Sequence, residues 1–354
     1  MALRSTTFEK SSLDAARDRN GTEESSFGAY LRRIAPEIDA RIAEHLASLG
    51  SSNGLNDGVE RMLLSGKRLR GAIVILAFDS ASREPLNRNV ALDLAAVVEL
   101  AHSASLILDD IIDEDDSRRG EPALHITMGE KLALLNMMEV IALPYAIASK
   151  HGSRFVEHLA KTHRLMVNGV LSEVSRSRAP TSKLYEQIIT LKTGALFSLA
   201  ARYGAMAAEA DVTLVDALAE YGLLTGKAMQ IADDIADLRL ALEKGAELEP
   251  SSETVLLRLL VEQEWESTQH GDGNPPAFAN LDGRPTSDSR CLLEAGMMRR
   301  LDDELAVVEE MATELRTRIG RVGASGRGDV GHDLLLEAPR EITRIVLAPQ
   351  KRRH

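Results

Sequence analysis

Residues 106–125 read LILDDIIDEDDSRRGEPALH, an apolar stretch that runs into Asp109, Asp110, Asp113, Glu114, Asp115, Asp116 and Glu121 around two adjacent arginines. Helical residues four apart share a face, so Asp109 and Asp113 present two carboxylates side by side. The same D-D-x-x-D recurs in QIADDIADL (230–238) as Asp233, Asp234 and Asp237. Each copy ends an apolar helical run, and acids near a helix C-terminus oppose the macrodipole. A single copy is an ordinary solvated helix end. A second copy on a second apolar helix calls for a cation. Oxygen ligands without His or Cys point to Mg²⁺ or Mn²⁺. Mg²⁺ takes one or two carboxylates and completes its shell with water and phosphate oxygens, so facing clusters could clamp several ions on one diphosphate.

Cationic groups that could meet phosphate lie near these clusters in the chain. SGKRLRG (65–71) puts Lys67, Arg68 and Arg70 on a short turn, although an isolated basic turn is more simply a solvated loop. Arg118 and Arg119 follow the first acidic cluster directly, and the planar guanidinium suits bidentate phosphate contacts. Lys192-Thr193-Gly194 interrupts the apolar run LYEQIITLKTGALFSLA, and a lysine at that depth requires a partner. His102 precedes Asp109 on the apolar side of the same helix, where a lone histidine is more often structural than functional and gains weight only from its company.

The elements that must position these groups read as helices. Residues 1–25 are polar and aperiodic, a tail. From Ser26 apolar residues recur at spacings of three and four, through Leu31, Ile34, Ile38, Ile42 and Leu46, up to a breaker at Gly50–Gly54. Residues 59–81 form an apolar helix with the basic insert inside it. Residues 86–113 are apolar almost all round, which predicts a buried helix. Helices follow at 130–149, 154–175, 183–208 and 211–245. Residues 266–290 are polar and rich in Gly and Pro, a long loop without packed structure of its own. A helix at about 291–320, a Gly-rich turn and a last helix ending in KRRH complete the chain. Alternating strand patterns are not found. The expectation is one all-α domain over 26–354, a large helix bundle with its site in a central cavity.

Composition agrees. Aromatics make up 3% of the 354 residues and prolines number 11, which favours helices over sheets. The net charge of −12 excludes a generally basic nucleic-acid surface. A lone cysteine, Cys291, forms no internal disulfide, which suits a reducing, cytoplasmic setting. No apolar run is read as a transmembrane segment, and MALRSTTFEKSS lacks the apolar middle of a signal peptide.

Five segments, in order, resemble the motifs of the trans-isoprenyl diphosphate synthases (polyprenyl synthetases): GKRLR (66–70), ELAHSASLILDDIID (99–113), RRGEPALH (118–125), LKTGALF (191–197) and QIADDIAD (230–237). They span about half the chain. The resemblance implies an isoprenoid synthase-like bundle and a magnesium-dependent prenyltransferase that adds isopentenyl diphosphate to an allylic diphosphate head to tail. Three Mg²⁺ ions would sit between Asp109, Asp110, Asp113 and Asp233, Asp234, Asp237. Arg118, Lys192 and Gln230 would hold the allylic diphosphate, whose departure leaves a carbocation lined by the Lys192 carbonyl and the Thr193 hydroxyl. Lys67, Arg70, His102 and Arg119 would hold isopentenyl diphosphate, and the departed diphosphate would take up the proton. A homodimer is implied as well, and the apolar 86–108 segment offers an interface for it.

The chain departs from the family's pattern in several places. Leu108 stands where His is frequent, Met229 where Phe is usual, and Gly169-Val170 replaces a Gly-Gln pair, with Glu173 keeping the acid that follows. The lysine- and glycine-rich loop after the second cluster is shortened to LRLALEKGAELEPSSET, where only Lys244 could stand in for its phosphate lysine. Ala104 and Ser105, just before the first cluster, are small, which implies products of twenty carbons or longer. Met137 and Met138 occupy a common Gly-Asp position and could plug a product tunnel. Two other readings remain: a terpene cyclase on the same fold, which takes no isopentenyl diphosphate, and a non-catalytic subunit that modulates a partner synthase.

Overall fold

The apolar runs become helices whose ends follow the caps and breakers in the sequence. The computed structural model describes residues 26–48, 55–82, 86–118, 120–175, 182–244, 287–320 and 328–348. The predicted tail and residues 266–286 of the expected polar loop lie outside the described residues, whereas 287–290, expected in that loop, form the first turn of a helix. Helix α1 (Ser26–Ser48) buries Phe27, Tyr30, Ile34, Ile38, Ile42 and Leu46 on one stripe. Helix α2 (Asp57–Leu63) is capped by Asn56, whose side chain accepts from the Gly58 N–H at 2.8 Å. Helices α3 (Leu69–Ala81) and α4 (Arg88–Ile112) are buried along most of their length. Next come α5 (Leu124–Met128), α6 (Glu130–Ser149), α7 (Ser153–Val174) and α8 (Ser182–Ile189). A π-helical turn (Thr190–Gly194) leads into α9 (Ala195–Ala207), followed by α10 (Val212–Lys244), α11 (Ser287–Gly320) and α12 (Gly328–Leu347).

Helices α3, α4, α9 and α10 form the centre of the bundle. Helix α4 packs on α1, α3, α6 and α9, while α10 packs on α9, α11 and α12. The α3–α9 approach depends on Gly204, since a Cβ there would collide with the Val74 carbonyl oxygen and sit 2.8 Å from Ala77 Cβ. One contiguous apolar core runs through all the long helices, as one domain requires.

Several expectations change. The basic insert does not interrupt one helix; it ends α2 and starts α3, with Arg68 in the left-handed region at φ 54°. A non-glycine residue there is uncommon, and side-chain bonds hold it: Arg68 Nε lies 2.5 Å from Asp39 Oδ1 and its Nη2 donates to the Leu63 carbonyl at 2.8 Å. With 2% exposure, Arg68 is a structural residue. The segment after the first acidic cluster contains a small antiparallel ladder, β1 (Ser117–Arg118) with β2 (Glu121–Pro122), turned through Gly120 at φ 84°. Two helices, Arg88–Ile112 and Glu130–Ser149, are long and apolar enough to cross a membrane, contrary to the sequence reading. The first is a core helix of this chain, with 67% of its apolar window buried. Most of 86–108, the segment offered as a dimer surface, is therefore covered by the chain's own helices.

Candidate active site

The first acidic cluster occupies the last turn of α4. Asp113 is its C-cap, with its N–H on the Asp109 carbonyl at 2.8 Å. The three carboxylates diverge from there. Asp110 turns inward, 3% exposed, and accepts from Arg118 Nε at 2.6 Å. The two-residue ladder folds Arg118 back toward α4, and its Nη2 also reaches Asp115 at 3.3 Å. Asp109 is pushed up to about 6, chiefly by burial; Lys192 opposes the shift, while Asp113 and Glu173 add to it. Asp113 is raised as well, chiefly by burial, with Glu173 and Asp115 adding to the shift and Lys192 opposing it. Carboxylates that resist ionising together are ones a cation would relieve.

The π-turn carries the next groups. Its wider winding shows in the Ala195 N–H, which donates to the Thr190 carbonyl five residues back, a bulge of the kind frequent at functional sites. Helix α7 approaches it closely, since a Cβ at Gly169 would lie 2.7 Å from the Lys192 backbone nitrogen. Across that contact Lys192 Nζ meets Glu173 Oε2 at 2.7 Å, which supplies the partner its depth demands. Burial works to lower the Lys192 pKa, but Glu173, Asp109 and Asp113 outweigh it and raise it. Thr193 Oγ1 donates to Gln230 Oε1 at 2.5 Å, joining the π-turn to α10.

The second cluster lies within α10, two turns before its end at Lys244. The macrodipole argument therefore holds for the first cluster and not for the second. Gln230 Nε2 donates to Asp234 Oδ1 at 2.8 Å, and Tyr185 of α8 donates to Asp234 Oδ2 at 2.5 Å. Sequence reasoning passed over Tyr185. Its only signal was the seven-residue spacing to Lys192, which places both on one helical face. Asp233 is raised, mainly by burial, against the opposing charges of Arg70, Lys67 and Arg118. The basic turn therefore faces the second cluster, and Arg118 is within electrostatic reach of both clusters.

Within that turn, Arg70 lies over the Phe197 ring at 4.9 Å and Lys67 Nζ donates to the Ile345 carbonyl at 3.2 Å. His102 is half-buried two turns before Asp109, on the same face of α4. Arg119 and the side chain of Lys244 lie outside the described residues. Below the first cluster Ala104 is fully packed and Ser105 half-buried, its Oγ on the His102 carbonyl at 2.8 Å. Met137 packs against the core, whereas Met138 is 63% exposed and turned away from it.

Among the described residues no three carboxylate, imidazole or thiolate side chains converge into a ready-made metal cage. The donor set still suits hard cations that bring their own oxygen ligands, as Mg²⁺ does with phosphate.

The polyprenyl synthetase family model matches residues 53–245, just over half of the chain. The geranylgeranyl diphosphate synthase of Methanosarcina mazei is 34% identical over 181 residues, 49% of this chain and 55% of that protein. A short chain isoprenyl diphosphate synthase of Methanothermobacter thermautotrophicus is 28% identical over 59% of this chain and 65% of its own length. The chain thus spans less than two thirds of these two relatives. The fold matches further: the geranylgeranyl pyrophosphate synthetase of Geoglobus acetivorans superposes with a TM-score of 0.65 at 21% identity, over 88% of this chain and 99% of that one. Motif order, an all-helical fold and the match of the family model agree, and the chain belongs to the polyprenyl synthetase family.

Proposed function

We propose that this chain is a prenyl chain elongase, condensing isopentenyl diphosphate with an allylic diphosphate to give a linear prenyl diphosphate. The observation that carries the reading is that the two carboxylate clusters feel a shared set of cations: the charge of Lys192 acts on Asp109 and Asp113, those of Arg70 and Lys67 on Asp233, and that of Arg118 on both clusters. Of the six aspartates, Asp109, Asp113, Asp233 and Asp237 are assigned as the main Mg²⁺ ligands. Asp110 and Asp234 brace the site through Arg118, Gln230 and Tyr185. Bound Mg²⁺ would neutralise the charge that builds on the departing diphosphate.

The chain's own groups do the rest. Lys192 and Arg118 orient the allylic diphosphate. Lys67, Arg70, His102 and Arg119 take the isopentenyl diphosphate, and Lys244 is assigned the phosphate contact of the shortened loop. The Lys192 carbonyl and the Thr193 hydroxyl oxygen, oriented by its hydrogen bond to Gln230, present negative dipoles to an allylic carbocation, a form of electrostatic preorganisation. The apolar faces below the aspartates exclude water that would quench it. Small Ala104 and Ser105 support products of twenty carbons or longer, with Met137 as the next constraint.

A homodimer belongs to this reading, through α6 and its neighbour α5 instead of α4. Ile126, Leu132, Leu135 and Met138 are all more than half exposed, an apolar surface of the kind that marks an interface. A cytoplasmic location is supported by the lone cysteine.

A product assay with Mg²⁺, labelled isopentenyl diphosphate and each of the C5, C10 and C15 allylic diphosphates tests the function. Elongated linear alcohols after dephosphorylation are expected. Diphosphate release from the allylic substrate alone, with a cyclic hydrocarbon formed, would move the assignment to a terpene cyclase. An inert protein that alters a partner synthase's product would make it a modulating subunit.

A further inference from the structure

The hydrogen bonds around Asp234 have only one consistent direction. Gln230 turns its NH₂ edge to Asp234 and donates to Oδ1 at 2.8 Å, with the carboxylate oxygen as acceptor. A flipped amide would put two oxygens against each other. The Gln230 carbonyl oxygen therefore faces Thr193, and at 2.5 Å the Thr193 hydroxyl must donate to it. The Thr193 proton is committed, and its lone pairs point away from Gln230.

Tyr185 helps to hold Asp234 in that orientation. Its hydroxyl donates to Asp234 Oδ2 at 2.5 Å, leaving Oδ1 on Gln230. The Tyr185 ring is held in turn: it is 6% exposed, and the Arg300 guanidinium of α11 lies over it at 5.0 Å. Arg300 also pairs with Glu186. Lys227 of α10 bridges Glu186 and Glu304 at 2.6 and 2.9 Å, tying α8, α10 and α11 together beside the site.

We infer that Tyr185 is a positioning residue that sets, through Asp234 and Gln230, the direction in which the Thr193 hydroxyl presents its lone pairs. The inference rests on the elongase reading, in which those lone pairs face the carbocation. Electrostatic stabilisation of this kind depends on donors and acceptors fixed before charge develops. Loss of the Tyr185 hydroxyl removes one restraint on Asp234 and, through it, on the Gln230 amide, at no cost in substrate contacts.

The test is Tyr185→Phe, which keeps the ring beneath Arg300. Wild type is assayed first for elongation. In the variant kcat should fall roughly tenfold, as expected for one lost hydrogen bond to a charged group. The KM values for both diphosphates and for Mg²⁺ should stay within about twofold, since binding energy is untouched. If the relay is the route, Tyr185→Phe combined with Thr193→Val loses no more than Thr193→Val alone. Undiminished kcat in Tyr185→Phe, or losses that multiply in the double variant, would overturn the inference. A second readout needs no activity: the Gln230 side-chain amide protons, followed by NMR, should exchange faster in Tyr185→Phe than in wild type. A wild type that does not elongate defeats the elongase reading instead, and the Gln230 exchange rates then decide the relay, unchanged rates refuting it.

Discussion

Asp109 sits beside Lys192, Asp113 and Glu173, and its behaviour follows from burial among them. If it is a metal ligand, Asp109→Ala should abolish Mg²⁺-dependent turnover, and Asp233→Ala should do the same. Near-normal rates in either variant would contradict the assignment. The metal-free protein offers an independent check. Asp109 is raised from 3.8 to about 6, and Asp113 and Asp233 are raised as well. Raised carboxylates bind protons more tightly folded than unfolded. The contribution of these groups to stability should therefore be complete below about pH 4 and, for Asp109, be lost as the pH rises from about 4 to about 6. Denaturant melts in chelator across that range should show this slope, and Asp109→Asn should reduce it while Asp113 and Asp233 keep part of it.

At the scale of the elements, the π-turn and α7 form one unit. With a Cβ at Gly169 only 2.7 Å from the Lys192 nitrogen and 3.1 Å from the Leu191 carbonyl carbon, backbone must move to admit alanine. Gly169→Ala should cost about 1–3 kcal/mol, as overpacking does, seen as a lower denaturant midpoint. Turnover should fall too, because the displaced turn carries Lys192 and Thr193. Helix α4 makes a second case. Ala104 is 1% exposed, so Ala104→Phe should mainly destabilise, again by about 1–3 kcal/mol. Ser105 is half-buried on the face leading to Asp109, so Ser105→Phe should shorten the product. An unchanged chain length, read by chromatography of the dephosphorylated alcohols, would move the floor toward Met137.

For the whole molecule, α4 and α6 pose one question with two answers. Both are apolar over membrane-spanning length, yet the apolar window of α4 is 67% buried and that of α6 only 39%. The remainder of α6 needs a cover, and a second copy of the chain supplies one in the proposed dimer. Leu135→Lys together with Met138→Lys should give a monomer in sedimentation velocity, with the helical signal retained. A dimer that survives both substitutions would place the interface elsewhere.

Much of the positioning framework was legible in the chain. Helix type follows from short-range periodicity, so α4, α6, α7 and α10 begin and end within about two residues of where the apolar spacing puts them. The aspartate pairs, the Lys192 turn and the need for a partner at Lys192 were equally readable, because residue type and depth within an apolar run are local properties. Orientation is not local. Periodicity could not reveal that Arg68 would bury itself on Asp39, that Asp110 would turn to Arg118, or that Tyr185 would reach Asp234 from another helix. Nor could it separate a helix covered by its own chain from one left half bare. The sequence by itself determined where most of the long helices run and which charges they carry. Which charges meet was decided by tertiary packing, since the direction of a buried side chain depends on what the neighbouring helices leave for it to bond.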